Sequence, residues 1–221
     1  TSGSSGHPKL IFFIEKDIVR KISVLSKIFS DTPILSCLPL GHVYGSVFVI
    51  LYSLYFLRKT YLVNKFDIKL LNLILLNELE QFLFAASPAQ IHLLNLYPEK
   101  MLNFLDKIKV TTTAGAFLDI NTYLLFKRRF GGSLCQLYGL TEMLGSVAIK
   151  QNLKPADFIN TTSSPIGQPL SKVKITIVKN KTICASETVG ELLIENKLLS
   201  GPIKQRNFKT KDYGFYKIID G

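Results

Sequence analysis

Ile108-Lys109-Val110-Thr111-Thr112-Thr113, a capped run from Asp119 to Arg129, and then Leu134-Cys135-Gln136-Leu137 form the stretch from which the fold is read. The first segment is almost wholly β-branched, and such side chains fit a pleated strand. Asp119 is the type of residue that caps a helix N-terminus, so a helix is expected from there to Arg129. Residues 134–137 form a second short apolar strand. Strand, helix, strand in close succession is the grammar of an α/β layered domain with a largely parallel sheet.

The same grammar extends upstream. Residues 10–14 read as a strand. Residues 16–29 read as a helix, with Ile18, Ile22, Leu25 and Phe29 at three- and four-residue spacing. Strands are expected at 34–38, 60–63 and 81–85, the last closed by Ser87-Pro88. Helices are expected at 45–57, 68–79, 89–96 and 99–105. Beyond about residue 149 the pattern changes. Val173-Lys174-Ile175-Thr176-Ile177-Val178 alternates with period two, and Lys179-Asn180-Lys181 makes a turn. Residues 191–195 and 213–218 are further strands, punctuated by Pro155, Pro165, Pro169 and Pro202. The predicted fold class is α/β: a layered core over residues 1–149 with a largely parallel sheet, and a small antiparallel β module over residues 150–221.

Composition narrows the partners. Hydrophobic residues make up 47% of 221, enough for a sizeable core and too many for a disordered chain. The formal net charge is +11, from lysines scattered along the chain. That charge reads either as a solvated surface or as a preference for a phosphate-rich partner such as a nucleotide, a coenzyme or nucleic acid. Cys37, Cys135 and Cys184 lie far apart, with no CxxC and no His/Cys cluster, so a zinc site is not expected. Unpaired cysteines suit a reducing compartment, and a cytoplasmic location is expected. Residues 47–57 are apolar but only 11 long, short of the ~20 that a membrane span needs. Thr1 is not an initiator methionine, so the chain reads as an excerpt.

Two segments could carry chemistry. Thr1-Ser2-Gly3-Ser4-Ser5-Gly6-His7-Pro8-Lys9 packs hydroxyls, glycines and a lysine together. Glycines let backbone approach an anion, and hydroxyls, free N–H groups and a lysine can contact phosphate. An engineered Ser/Gly scar or a flexible leader has the same composition. Tyr138-Gly139-Leu140-Thr141-Glu142 follows a strand, and Gly139 permits a sharp turn. It presents an aromatic ring, a hydroxyl and a carboxylate, suited to a base, a phosphate and a magnesium ion. Glu142 alone is equally a carboxylate at a helix start.

In this order and at this separation, the two segments resemble the adenylate-forming superfamily: acyl- and aryl-CoA synthetases, adenylation domains of peptide synthetases, and luciferases. That family has a Ser/Thr/Gly-rich loop ending in Pro-Lys and a later Tyr-Gly-x-Thr-Glu motif. Further landmarks follow in family order. Pro39-Leu40-Gly41-His42-Val43-Tyr44-Gly45 is similar to the Pro-x-x-His-x-x-Gly segment. Thr113-Ala114-Gly115-Ala116-Phe117-Leu118 is similar to the Gly-Gly-Ala-x-Leu turn. Ile166-Gly167-Gln168-Pro169, Gly190-Glu191-Leu192 and Phe208-Lys209-Thr210-Lys211-Asp212 match later ones.

The resemblance implies ATP-dependent activation of a carboxylic acid to an acyl-AMP with release of pyrophosphate. Transfer to coenzyme A would follow; the alternatives are an adenylation domain that loads an acyl-carrier protein, or a degenerate, catalytically weak AMP-binding protein. Thr1, Ser2, Gly3, Ser4, Ser5, Gly6 and Lys9 would hold the β- and γ-phosphates of ATP. Gly115, Ala116, Tyr138 and Gly139 would form the adenine slot, and Asp212 would take the ribose hydroxyls. Thr141 would contact the α-phosphate and Glu142 would ligate Mg2+. Thr141, Glu142 and Lys9 are thereby the expected catalytic residues, and His42 and Gly45 belong to the acyl pocket. His42 also reads as a satisfied core histidine, and Tyr97 and Tyr123 as core aromatics. No nucleic-acid partner and no membrane span are expected.

The chain departs from the family pattern at several points. Leu10 follows Lys9 where glycine is usual, Gly41 replaces an aromatic beside His42, and Lys211 stands where Thr-Gly-Asp has glycine. The segment around residues 200–207 is short. The family's preceding segment and its small C-terminal domain, which bears a lysine that contacts the carboxylate and α-phosphate, are expected outside residues 1–221.

Overall fold

The computed structural model describes residues 10–29, 32–76, 78–200 and 208–217. The expected phosphate loop, residues 1–9, lies outside them, as do most of the shortened segment and residue 218.

The core is a seven-stranded sheet in the order β2-β1-β3-β4-β5-β6-β7. Its strands are β1 (Ile34–Ser36), β2 (Thr60–Leu62), β3 (Phe82–Ala86), β4 (Ile108–Thr113), β5 (Ser133–Leu140), β6 (Gly145–Lys150) and β7 (Gln168–Pro169). The first five pair in parallel, and β6 and β7 are antiparallel. Five helices are named here: α1 (Glu15–Ser26), α2 (Tyr52–Tyr55), α3 (Ile68–Leu76), α4 (Pro88–Leu96) and α5 (Ile120–Phe130). A second sheet, order β11-β10-β8-β9, is antiparallel throughout. It contains β8 (Val173–Lys179), β9 (Thr182–Ile183), β10 (Gly190–Asn196) and β11 (Phe208–Gly214). The α/β class, the largely parallel sheet and the small antiparallel sheet are as the sequence predicts.

Period-two alternation assigns each face of the central sheet to a different helical layer. Phe82, Phe84 and Ala86 of β3 face α3, α4 and α5 through Leu71, Leu75, Ile91, Leu94, Tyr123 and Phe126. Leu83 and Ala85 face the other way, onto α1 and the helix that follows β1. All five β3 residues are buried, the signature of a central strand covered on both sides. Asp119 caps α5 as expected, accepting from the Thr122 amide at 2.9 Å. Ser87-Pro88 is a capping box with Gln90 that starts α4. Tyr123 is a core residue, its hydroxyl donating to the Leu153 carbonyl at 2.5 Å. The three cysteines are buried and free.

Several expectations are corrected. Residues 10–14 are extended but have no strand partner among the described residues; Leu10 and Phe12 are exposed. An apolar run is a necessary feature of a buried strand, but the ladder needs a neighbour. Residues 45–57 do not form one α-helix. Tyr44–Leu51 is a π-helix that passes into α2, and the run stops at Leu57 with φ +50°. The wider turn suits a four-residue aromatic ladder: Tyr44, Phe48, Tyr52 and Phe56 stand with successive ring centroids 5.5, 5.8 and 5.2 Å apart. The expected helix at 99–105 is two 3-10 turns, Glu99–Met101 and Asn103–Lys107. Strands β6 and β7 are not foreseen by the sequence reading. Among the described residues no helix is long and apolar enough to cross a membrane.

Phe84 is wholly buried at the centre of the sheet. Phe84→Ala is expected to lower the unfolding free energy by about 3–5 kcal/mol, because the removed ring leaves a cavity that the packed helices cannot fill. Urea titration with an unchanged m-value checks this.

Candidate functional site

Three strand ends converge on one side of the molecule. The C-terminal ends of β1, β4 and β5 lead into residues 37–45, 114–118 and 141–145, the usual location of ligand sites in parallel sheets. His42, Val43, Tyr44, Ala114, Gly115, Gly139, Gly145 and Ser146 line a small cavity there, together with Leu25, Val47 and Phe48. Its volume of about 20 Å³ accommodates a single water.

Close backbone dictates one of the glycines and a positive φ the other. Gly139 lies so close to the returning strand that a Cβ would stand 2.3 Å from the Gly145 carbonyl oxygen. Gly115 has φ +83°, and a Cβ there would meet His42 Cε1 at 3.4 Å. His42 is exposed, not a core histidine, and its Nδ1 accepts from the Tyr44 amide at 3.3 Å. Gly45 is buried in the first turn of the π-helix. Ala116 is exposed on the turn after β4, beside Gly115.

The chain then reverses. Leu140 runs into a 3-10 turn, Thr141–Met143, and Leu144 (φ +57°) and Gly145 (φ +85°) start the antiparallel return. Thr141 and Glu142 are therefore half-buried on the tip of a β5–β6 hairpin. The Glu142 carboxylate has no ion pair or hydrogen bond with any described residue. Such a carboxylate fits a Mg2+ ion that takes one protein ligand and completes its shell with phosphates and water. No cluster of three or more ligating side chains exists among the described residues.

Tyr138 and Asp212, 74 residues apart, are in direct contact: the phenol donates to Asp212 Oδ2 at 2.6 Å. Burial raises the Tyr138 pKa well above its usual range, and the Asp212 hydrogen bond adds to it. Asp212 is held by its own amide, which donates to Thr210 Oγ1 at 3.0 Å, and that hydroxyl donates to the Leu192 carbonyl at 3.1 Å. Lys211 has φ +64°, and its amide donates to Glu191 Oε1 at 3.1 Å. This left-handed backbone, at a position where Thr-Gly-Asp has glycine, costs a lysine on the order of 1 kcal/mol.

Further residues stand out to which the sequence motifs assign no role. Thr113 and Gln136 are opposite each other in the β4–β5 register, and Thr113 Oγ1 and Gln136 Oε1 are buried without a hydrogen-bond partner among the described residues. Buried acceptors in this condition suit a donor from a ligand or a water. Lys21 and Asp17 of α1 are both fully buried. Lys21 Nζ donates to the carbonyl of Ser146. A signal for Lys21 exists in the sequence: it lies three residues after Ile18 and four before Leu25, on the apolar stripe itself.

Residues 1–201 match the family model for AMP-binding enzyme. A long-chain-fatty-acid–CoA ligase of Bacillus subtilis (strain 168) is 26% identical over 204 residues, covering 88% of this chain and 35% of the ligase. The fold resembles O-succinylbenzoate coenzyme A synthetase (MenE) from Bacillus subtilis in complex with ATP and magnesium ion, with TM-score 0.77 and 20% identity over 98% of this chain and 46% of that one. It also resembles McyG A-PCP complexed with phenylalanyl-adenylate, with TM-score 0.79 and 19% identity over 98% and 38% of the two chains. The chain thus spans about a third of the curated relative's length and less than half of these two solved structures.

Desolvation lowers the Lys21 pKa from 10.5 to about 7. Its folded-state pKa is depressed, so between these values the unfolded chain binds the extra proton and stability rises with pH. Urea midpoints are expected to climb from pH 7 to pH 10, and Lys21→Met is expected to flatten that rise. An equal slope in the variant would contradict the assignment.

Proposed function

We propose that this chain, which belongs to the AMP-binding enzyme family, forms the nucleotide- and acyl-binding part of an ATP-dependent acid–thiol ligase. The reaction joins a carboxylate oxygen to the α-phosphorus of ATP and releases pyrophosphate. A thiol then takes the acyl group and AMP leaves. The observation that carries this reading is the Tyr138–Asp212 contact, which joins a base-sized aromatic face to a ribose-binding carboxylate across the two sheets.

Each residue has a separable task. The Tyr138 ring and the Gly115-Ala116 turn form the two sides of the adenine slot, and Gly139 leaves the room that the turn requires. Gln136 Oε1 and Thr113 Oγ1, on the two strands that lead into the slot, offer acceptors to an N–H donor. Asp212 accepts from the ribose hydroxyls. The bond from Tyr138 fixes the carboxylate's orientation beforehand, so less freedom is lost when the nucleotide binds. Thr141 donates its hydroxyl to the α-phosphate. Glu142 ligates Mg2+, which when bound neutralises phosphate charge against the incoming carboxylate.

Residues 1–9, with Lys9, hold the β- and γ-phosphates on this reading. His42 and Gly45 border the acyl group, beside the apolar Val43, Tyr44 and Phe48. The acyl- and base-binding layer and the ribose-binding sheet then divide between β7, which ends at Pro169, and β8, which begins at Val173. Similarity to a CoA ligase favours coenzyme A as acceptor over a carrier protein.

ATP–pyrophosphate exchange with a panel of carboxylic acids tests the proposal. Exchange by the native chain, reduced at least about a hundredfold by Glu142→Ala, is the expected result. Undiminished exchange in the variant removes Glu142 from the mechanism. No exchange with any acid favours a nucleotide-binding protein without catalysis. Acylation of a phosphopantetheinyl carrier with coenzyme A untouched identifies a carrier-loading domain.

A further inference from the structure

Helix α1 carries a pair of buried charges that the proposed chemistry does not use. Asp17 and Lys21 are one turn apart, and both have no exposed surface. Each reaches a different distant segment. Asp17 Oδ1 accepts from the Ser200 amide at 2.9 Å and from the Ser200 hydroxyl at 2.6 Å. Arg20 donates to the same hydroxyl at 3.3 Å and lies 3.8 Å from Asp17. Lys21 donates to the Ser146 carbonyl, 125 residues away.

These two segments border the candidate site. Ser146 pairs with Gly139 in the β5–β6 ladder, at the base of the hairpin that carries Tyr138, Thr141 and Glu142. It also lines the site cavity together with Leu25 of α1. Ser200 ends the described chain after β10, and the next described strand, β11, carries Asp212.

An ammonium group inside the protein is costly, and an apolar side chain of similar volume would fill the same space without desolvating a charge. Its depressed pKa reflects that cost. Packing alone therefore gives no reason for a lysine at position 21. The reason lies in what the lysine holds: a carbonyl that follows Gly145, where φ is +85° and the hairpin leaves its turn.

We propose that Lys21 is a positioning residue, which pins the base of the Tyr138–Glu142 hairpin to α1 through the Ser146 carbonyl. Asp17 does the same for the segment at Ser200. Helix α1 is then the strut that sets the hairpin and the segment ending at Ser200 against one another. The consequence for nucleotide turnover rests on the function proposed above; the mechanical claim does not.

The test uses the full chain and the volume-matched variant Lys21→Met, read by amide hydrogen exchange at neutral pH. The expected result is a melting temperature equal to or above the native one, with amides of residues 140–146 exchanging about tenfold faster and those of β3 unchanged. Lys21→Arg, which keeps a donor, is expected to restore slow exchange in that segment. Native exchange rates at residues 140–146 in Lys21→Met overturn the proposal. So does a variant that melts well below the native chain, because the lysine would then serve general stability. In the adenylation assay the variant is expected to raise the KM for MgATP about tenfold with a smaller change in kcat. A native chain without adenylation activity defeats the proposed function, while the exchange measurement still decides the role of Lys21.

Discussion

No side chain fits at position 139. The backbone there lies against Gly145 so closely that a Cβ would stand 2.3 Å from its carbonyl oxygen, far inside van der Waals contact. That close approach lets the fifth parallel strand turn directly into an antiparallel sixth. The reversal has three consequences. It sets Thr141 and Glu142 on a hairpin tip at the carboxyl ends of the parallel strands. It leaves Tyr138 beside Asp212 of the second sheet. It also brings the Ser146 carbonyl over α1, within reach of Lys21. Base, ribose and phosphate contacts on the proposed reading are thus tied to one glycine-dependent turn.

The sequence reveals the layers because their cause is local. Residues 108–113 are a strand in both reading and structure, since β-branching and central burial act in the same direction. Asp119 and the alternation at residues 173–178 are of the same kind. The failures occur where the cause is distant. The apolar run at 10–14 has strand composition and no ladder partner. Residues 44–51 widen into a π-helix around an aromatic ladder that depends on Thr112 and Phe29, which accept from the Tyr44 and Tyr52 hydroxyls. Strand β6 is hidden because Leu144 and Gly145 carry the turn through positive φ values that apolar periodicity does not signal.

The candidate site divides in the same way. His42, Gly115, Tyr138, Gly139 and Asp212 are legible as motif residues, and the fold brings them to one region. The supports are not. Gln136 reads as an ordinary strand residue, and Thr113 only as the start of the Thr113–Leu118 turn, until their unpaired acceptors are seen side by side. Lys21 reads as one of many lysines, although its place on the apolar stripe of α1 is visible in the spacing. Motifs record groups that contact a ligand; a group that holds those groups in place has only burial to distinguish it.

The central claim is that Tyr138 and Asp212 together form an adenosine site. The most direct measurement is a crystal structure of the full chain soaked with AMP. The account predicts the base against the Tyr138 ring, the ribose hydroxyls on the Asp212 carboxylate and the phosphate next to Thr141. AMP seated elsewhere, or no AMP at millimolar concentration, would contradict it.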